Sequence, residues 1–486
     1  GALRYPGAPA EVSALAFEAS LTPDRVRVDP LRATVAGQAV TARVEAWSFA
    51  DPQVEATVRG ALDLGAVAPL VAPAGTQLGG RVTLDVHARG RVAEPAAMAL
   101  AGKAVLADVR VVAPDLPQPI EHVNGTLTFA DDVARVSGLS LHAGGSSLTL
   151  DGRVTRPLAL VADRDRERPA LVDFDLVSTG LDLAELLPTT PGAPFLPNAR
   201  GGGRVRLDRL RKDRLAVRDV RADVTLEPGV LAVPMFAFAG YGGTVRGQAR
   251  FDLRDTRRPV YDVHTTVAGV QADSLIASWT PVRGLLAGTL DTQLELAGEG
   301  ATPADVKRTL TLIALASVRG GRLGPGPALE AVSRFVNVPR LRQLDFARLE
   351  LPVRIEHGRV VTDPVVLKGA AGEWRLAGAV GFDGVLDYAV SVTLPDTVVA
   401  ALQAHSAAAA GALTDAQGRM LLDLRVTGPA RAPQVAWDTR AMQARLLGRA
   451  SDALQAQRAR LQTEAREAAQ RALEERLVSG RDSLAA

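Results

Sequence analysis

The stretch Leu349-Glu350-Leu351-Pro352-Val353-Arg354-Ile355-Glu356 decides the fold. Apolar and polar residues alternate there with a period of two, so an extended chain points its apolar side chains to one face and its charged ones to the other. The pattern recurs at Val40-Ala42-Val44-Ala46, Val82-Leu84-Val86, Val105-Ala107-Val109-Val111, Val172-Phe174-Leu176 and Leu386-Tyr388-Val390-Val392-Leu394. Gly, Asp, Pro and Asn separate the runs at about 8–12 residues, the spacing of antiparallel strands joined by short turns.

A two-strand unit occurs four times, over Val26 to Ala46, Val133 to Val154, Val230 to Phe251 and Val360 to Val380. From Leu31, Leu139, Met235 and Val365 the second strand begins nine positions on, at Val40, Leu148, Thr244 and Trp374. Turns such as Ala143-Gly144-Gly145 join the strands, because Gly takes the positive φ of tight hairpins. In three copies a further strand leads into a Gly-x-x-Leu-like element, at Gly65 before Leu70, Gly180-Leu181-Asp182-Leu183 and Gly269 to Leu275. The repeating module is about 100 residues.

Thr302-Pro303-Ala304-Asp305 reads as a helix start, with Thr as N-cap and Pro at the first helical position, and Pro327-Ala328-Leu329-Glu330 opens another short helix. From about Arg440 the chain turns rich in Ala, Arg, Gln and Glu. Ala450, Leu454, Leu461, Ala465, Ala468 and Ala472 share a face of what reads as one long amphipathic helix. The run Asp163 to Arg168 reads as an exposed loop, and Pro188 to Pro197 followed by Gly201-Gly202-Gly203 as a hinge. The expected organisation is repeated β-modules over 1–284, a distinct β region over 285–438 and the helix over 439–486.

The 486 residues exceed one compact core. Apolar residues make up 47% but aromatics only 4%, so the apolar surface is built from Ala, Val and Leu. No window reaches the roughly 18 uninterrupted apolar residues of a membrane-spanning helix, and Thr309 to Val318 offers ten uncharged residues. The start, Gly1-Ala2-Leu3-Arg4, has neither an initiator Met nor a leader and reads as a processed form or fragment. Cysteine is absent, which excludes disulfides and thiolate chemistry. The formal charge of +2 arises from 56 basic and 54 acidic residues spread along the chain, so no basic stripe for nucleic acid is expected.

Residues with catalytic potential are sparse. His87, His122, His142, His264, His357 and His405 include no i, i+4 pair of the kind that binds zinc on a helix. Gly321-Arg322-Leu323-Gly324-Pro325-Gly326 lacks the spacing of a nucleotide loop and reads as a turn. Asp182 and Asp273 recur at repeat boundaries as turn and cap residues, and with Asp291 they form no expected acid–base pair. Asn124-Gly125-Thr126 reads first as a hairpin turn and second as a glycosylation sequon. No enzyme, cofactor or metal site is expected.

A sheet with a continuous apolar face must hide it, either against a second layer or around apolar ligand. Before the tail, the sequence offers only two short helices for cover, after Thr302 and Pro327. Periodicity alone leaves a two-sheet sandwich and an open trough as alternatives.

The segment Leu285 to Asp438 resembles the C-terminal region of the AsmA-like family. The matching features are Leu294 to Gly300 before Thr302-Pro303, Val318-Arg319-Gly320-Gly321, and Phe346 through Val353 to Val360. They continue with Leu376-Ala377-Gly378-Ala379-Val380-Gly381-Phe382-Asp383, Leu386-Asp387-Tyr388 and Gly428 to Val435, while the upstream hairpins are similar more loosely. The resemblance implies a mainly β fold, an elongated, curved antiparallel groove of the kind in bridge-like lipid transfer proteins. It also implies an inner-membrane anchor before the groove, a periplasmic location, and phospholipid movement between inner and outer membranes in support of outer-membrane biogenesis.

On that reading acyl chains lie against the apolar face, with Val353, Ile355, Leu376, Val390 and Val392 as groove-facing residues. Each buried methylene is worth about 0.8 kcal/mol. About two dozen strands at ~4.8 Å spacing span on the order of 100 Å. The expected partners are phospholipid acyl chains, the two membranes and an envelope protein bound through the C-terminal helix. The alternative is a scaffold or chaperone-like factor that offers sheet edges to outer-membrane proteins.

Overall fold

The computed structural model describes residues 12–35, 37–72, 75–114, 116–160, 168–186, 196–279, 286–369, 372–394 and 419–482 of the chain. Within these it is mainly β. The chain forms two compact units: Gly1–Arg319 with Leu351–Arg359, and Gly320–Glu350 with Val360–Ala486.

The first unit opens with β1 (Val12–Thr22), β2 (Arg25–Val35), β3 (Gln38–Trp47) and β4 (Gln53–Asp63), then helix α1 (Leu64–Val71) and β5 (Gln77–Arg91). There follow β6 (Ala99–Val112), β7 (Ile120–Ala130), β8 (Val133–Ala143), β9 (Ser146–Thr155), β10 (Ala170–Asp182) and α2 (Leu183–Leu186). Next come β11 (Ala199–Lys212), β12 (Leu215–Glu227), β13 (Val230–Gly240), β14 (Gly243–Asp252), β15 (Val260–Gln271) and α3 (Ala272–Trp279). The unit continues with β16 (Leu286–Glu299), α4 (Pro303–Thr309) and the start of β17 (Thr311–Leu323).

Each strand pairs antiparallel with the next from β1 to β10 and again from β11 to β16. One pair departs from the expected antiparallel order: β10 and β11 are parallel, Ala170 opposite Ala199 through Asp182 opposite Arg211. Parallel neighbours need a connection of a dozen or more residues, and 16 residues separate Asp182 from Ala199 in the sequence.

The repeated hairpins are β2–β3, β8–β9 and β13–β14. The strands after them, β4, β10 and β15, end in α1, α2 and α3. Local hydrogen bonds start these helices. Asp63 Oδ1 accepts from Ala66 N at 3.2 Å, and Asp182 Oδ1 accepts from Ala184 N at 3.0 Å. Glu185 of α2 also clasps the β8–β9 turn, accepting from Gly145 N at 2.9 Å and from the buried Ser146 hydroxyl. These bonds, that of Ser146 foremost, hold the Glu185 carboxyl below its usual pKa.

Strand bulges recur with one device. Asp108, Gly138 and Gly269 have positive φ, and the N–H of each is taken by a side chain of the adjoining strand region. The acceptors are Asn124 Oδ1 at 2.9 Å, Asp151 Oδ1 at 2.7 Å and Asp291 Oδ1 at 2.9 Å. Asn124 therefore lies inside β7 as a bulge cap, not in a hairpin turn, and Asp291 is structural, bound also by Arg319 at 2.6 Å.

The second unit holds the end of β17, α5 (Pro327–Val336), most of β18 (Leu344–Glu356), β19 (Arg359–Gly369), β20 (Gly372–Gly381), β21 (Val385–Thr393), β22 (Leu421–Pro429), β23 (Gln434–Trp437) and α6 (Thr439–Asp482). β20 to β23 pair antiparallel in order. Thr302 caps α4 as the sequence indicates, its hydroxyl accepting from Asp305 N at 3.2 Å, with Pro303 at the first position. In α5, Leu329, Ala331, Val332 and Val336 are all buried.

Two expectations need correction. Gly201-Gly202-Gly203 is no hinge: it lies inside β11, paired on both sides. A side chain is excluded there, since a Cβ on Gly201 would fall 1.9 Å from Val172 O. The tail does not pack as a long amphipathic helix. Its hold on the fold is short, through the Arg445 guanidinium on the buried Asp423 carboxylate. Leu447, Leu454 and Leu461 are 73%, 58% and 57% exposed. An Ala-rich stripe offers too little apolar area to hold a helix down. The side chains of Ala450, Ala465, Ala468 and Ala472 lie outside the described set, as do residues 163–167 and 188–195 of the expected loop and hinge.

Candidate functional site

The apolar face of the first unit is the candidate site. Tyr261, Val263, Thr265 and Val267 of β15 alternate with Asp262, His264 and Thr266 on the other face. Val263 stands opposite Ala249 of β14 and Leu296 of β16, so the apolar face runs on across strands. Most of these side chains are half-buried, flanked by the neighbouring strands. Small sealed clusters form where Val245, Val267 and Val270 meet Leu275 of α3, and where Leu207, Val217 and Val220 meet Leu181 and Phe238.

Aromatic rings shape this face through glycines on the next strand. Phe174 is opposite Gly203, Phe236 opposite Gly247 and Tyr261 opposite Gly298. A Cβ on those glycines would come within 2.6 Å of Phe174 Cγ, 2.8 Å of Phe236 Cζ and 2.5 Å of Tyr261 Oη. Each ring therefore lies down over its glycine and leaves a low, even apolar surface. Burial raises the Tyr261 phenol pKa.

The polar face is laced with ion pairs. Arg59 meets Asp85 at 2.8 Å, Arg258 meets Glu299 at 2.8 Å, and Arg204 binds Asp175 through two nitrogens at 2.8 and 2.9 Å. The Arg254 guanidinium on Asp252 brings that carboxyl down to about 2. A hollow of about 620 Å³ opens on this face, lined in part by Gln248, His264, Gln293, Glu295, Ile313 and Leu315. Ile313 and Leu315 are 64% and 63% exposed.

The residues expected to face a groove fall into different settings. Val353 and Ile355 sit half-buried on β18 in the first unit's Leu351–Arg359 segment. Leu376, also half-buried, is opposite Val390 in the second unit. Val390 and Val392 are 4% and 0% exposed, paired with Leu424 and Leu422, and Trp374 opposite Val392 is fully buried. They belong to a sealed core.

Among the described residues, no cluster of three or more His, Asp or Glu is arranged to hold a metal ion, and no helix is long and apolar enough to cross a membrane. The chain matches no family model, no curated protein and no solved structure.

Proposed function

We propose that this chain is a non-enzymatic lipid-binding protein of the AsmA-like kind, which carries phospholipid between the inner and outer membranes across the periplasm. The observation that supports this reading is the half-buried apolar face of the first unit. Acyl chains cover that face. Each methylene that leaves water against Val263, Leu296 or a laid-down ring contributes about 0.8 kcal/mol, and similar surfaces on successive strands let the chain glide at little net cost. In the second unit β21 offers no such surface at Val390 and Val392, which are already buried.

Native mass spectrometry of the purified chain tests this. Phospholipid-mass adducts are expected on the wild type, and Val263→Asp removes them, since an unpaired carboxylate on the face cannot be buried under an acyl chain. Wild-type lipid occupancy in Val263→Asp sinks the assignment of this face.

A second reading, a scaffold presenting a sheet edge to outer-membrane proteins, draws on β1. Its described pairing is with β2 alone, and Phe17 and Leu21 are exposed. An unpaired edge accepts a further strand. Crosslinking of β1 to unfolded barrel proteins, with no lipid adducts, favours that reading.

A further inference from the structure

The polar face of β11 to β14 gathers arginines that are scattered in the sequence. Arg206 stands directly opposite Arg221, and Arg209 directly opposite Arg218. Arg246 shares the row of Arg206 and Arg221, one strand beyond Ala237. All five are exposed. Like charges in direct cross-strand register destabilise a sheet, so the arrangement is unfavourable as it stands.

Existing partners do little to neutralise the block. Arg206 reaches Asp175 only at 4.0 Å, and that carboxylate is already held by Arg204. Arg218 is 3.7 Å from Asp219, and Arg209 Nε donates to Thr179 O at 3.2 Å. Arg221 and Arg246 have no ion-pair or hydrogen-bond partner among the described residues. Asp208 and Asp219 lie in the same block and Asp175 and Asp223 border it beside Arg204, so with Arg204 counted six guanidiniums face four carboxylates. Exposed Val177 and Met235 flank it.

We propose that this face docks on the anionic phospholipid headgroups of a bilayer surface. A phosphate between two opposed guanidiniums turns their repulsion into shared charge-assisted hydrogen bonds, for which the planar Arg fork is suited. A bilayer presents many phosphates at once, so it engages both opposed pairs and Arg246 together. The flanking Val177 and Met235 side chains meet the interface beside the headgroups. This surface is opposite to the apolar face and works independently of it.

Co-sedimentation with vesicles tests the proposal. The wild-type chain is mixed with phosphatidylcholine vesicles with and without phosphatidylglycerol, at low and high salt, beside the triple variant Arg206→Gln/Arg221→Gln/Arg246→Gln. Binding is expected only to the phosphatidylglycerol vesicles, and salt weakens it. The triple variant binds about 100-fold more weakly, from about fivefold per arginine at an anionic surface. Val263→Asp retains this binding, which separates headgroup docking from acyl-chain uptake. Circular dichroism checks the fold, and Arg221→Gln alone, with an expected loss of about fivefold, serves if the triple variant misfolds. Equal binding by the arginine variants overturns the proposal. So do equal binding to pure phosphatidylcholine, full displacement by millimolar inorganic phosphate, and preference for an oligonucleotide at the same salt.

Discussion

The two units use the same alternation and end in opposite states. In the second, Trp374, Val390, Val392, Leu422 and Leu424 are sealed, and α5 adds a buried stripe of its own. In the first, Val263, Leu294 and Leu296 remain half-exposed on strands that alternate just as cleanly. A period of two says which side chains share a face. It says nothing of what covers that face, which depends on elements contributed from elsewhere in the chain.

The sharpest way to break this comparison is one substitution in each unit. Val392→Asp places a carboxylate among Trp374, Leu422 and Leu424 with no cation to meet it, at an expected cost of about 3–5 kcal/mol. Val263→Asp leaves its carboxylate within reach of water and changes stability little. Urea unfolding followed by tryptophan fluorescence measures both. Equal losses would mean that the first unit's face is as closed as the second's.

A smaller effect is expected at the rings. Gly203→Val sets a Cβ against Phe174 O at 2.2 Å and against the Phe174 ring, so both the strand and the ring must shift. The cost is about 1–3 kcal/mol, typical of overpacking. The displaced ring also roughens the apolar face, so lipid occupancy falls with stability. A stability loss with unchanged lipid adducts would show that the low surface over the glycines is irrelevant to binding.

Much of this fold is legible in the sequence wherever the cause is local. The four hairpins fall on β2–β3, β8–β9, β13–β14 and β19–β20, because alternation and a Gly turn are both short-range signals. Thr302-Pro303 marks a helix start for the same reason. What was not legible depends on partners distant in the chain. Gly201 to Gly203 carry the composition of a hinge, yet Val172 O and the Phe174 ring require glycine there. Asn124 looks like a turn residue until Asp108, in another strand, needs its bulge N–H accepted. The parallel direction of β10 and β11 leaves no trace in alternation.

The expected site residues show the same limit. Clean alternation selected Val390 and Val392, which are buried, and passed over Val263, which is half-exposed. The arginine block also emerges only on folding. Arg206 and Arg221 belong to different strands, and neither is remarkable in a chain with 56 basic residues.

Ion pairs extend the comparison to the polar groups and give the smallest effect. Asp423 in the second unit is buried, bound by Arg445 and by the Ser391 hydroxyl at 2.7 Å. Asp252 in the first unit is an exposed-side partner of Arg254, whose hydrogen bonds take its carboxyl from 3.8 to about 2. A depressed folded pKa stabilises the folded state above the unfolded pKa, and that contribution disappears as pH falls through the folded value. The Asp252 contribution is therefore intact above pH of about 4 and lost towards pH 2. Because the pair is largely solvated, it is worth less than about 1 kcal/mol. Asp252→Asn removes it, so the gap between wild-type and variant urea midpoints should close as pH drops from 5 to 2. A gap that stays constant over that range would assign the pair's effect to packing of the Arg254 side chain, with no contribution from the charge on Asp252.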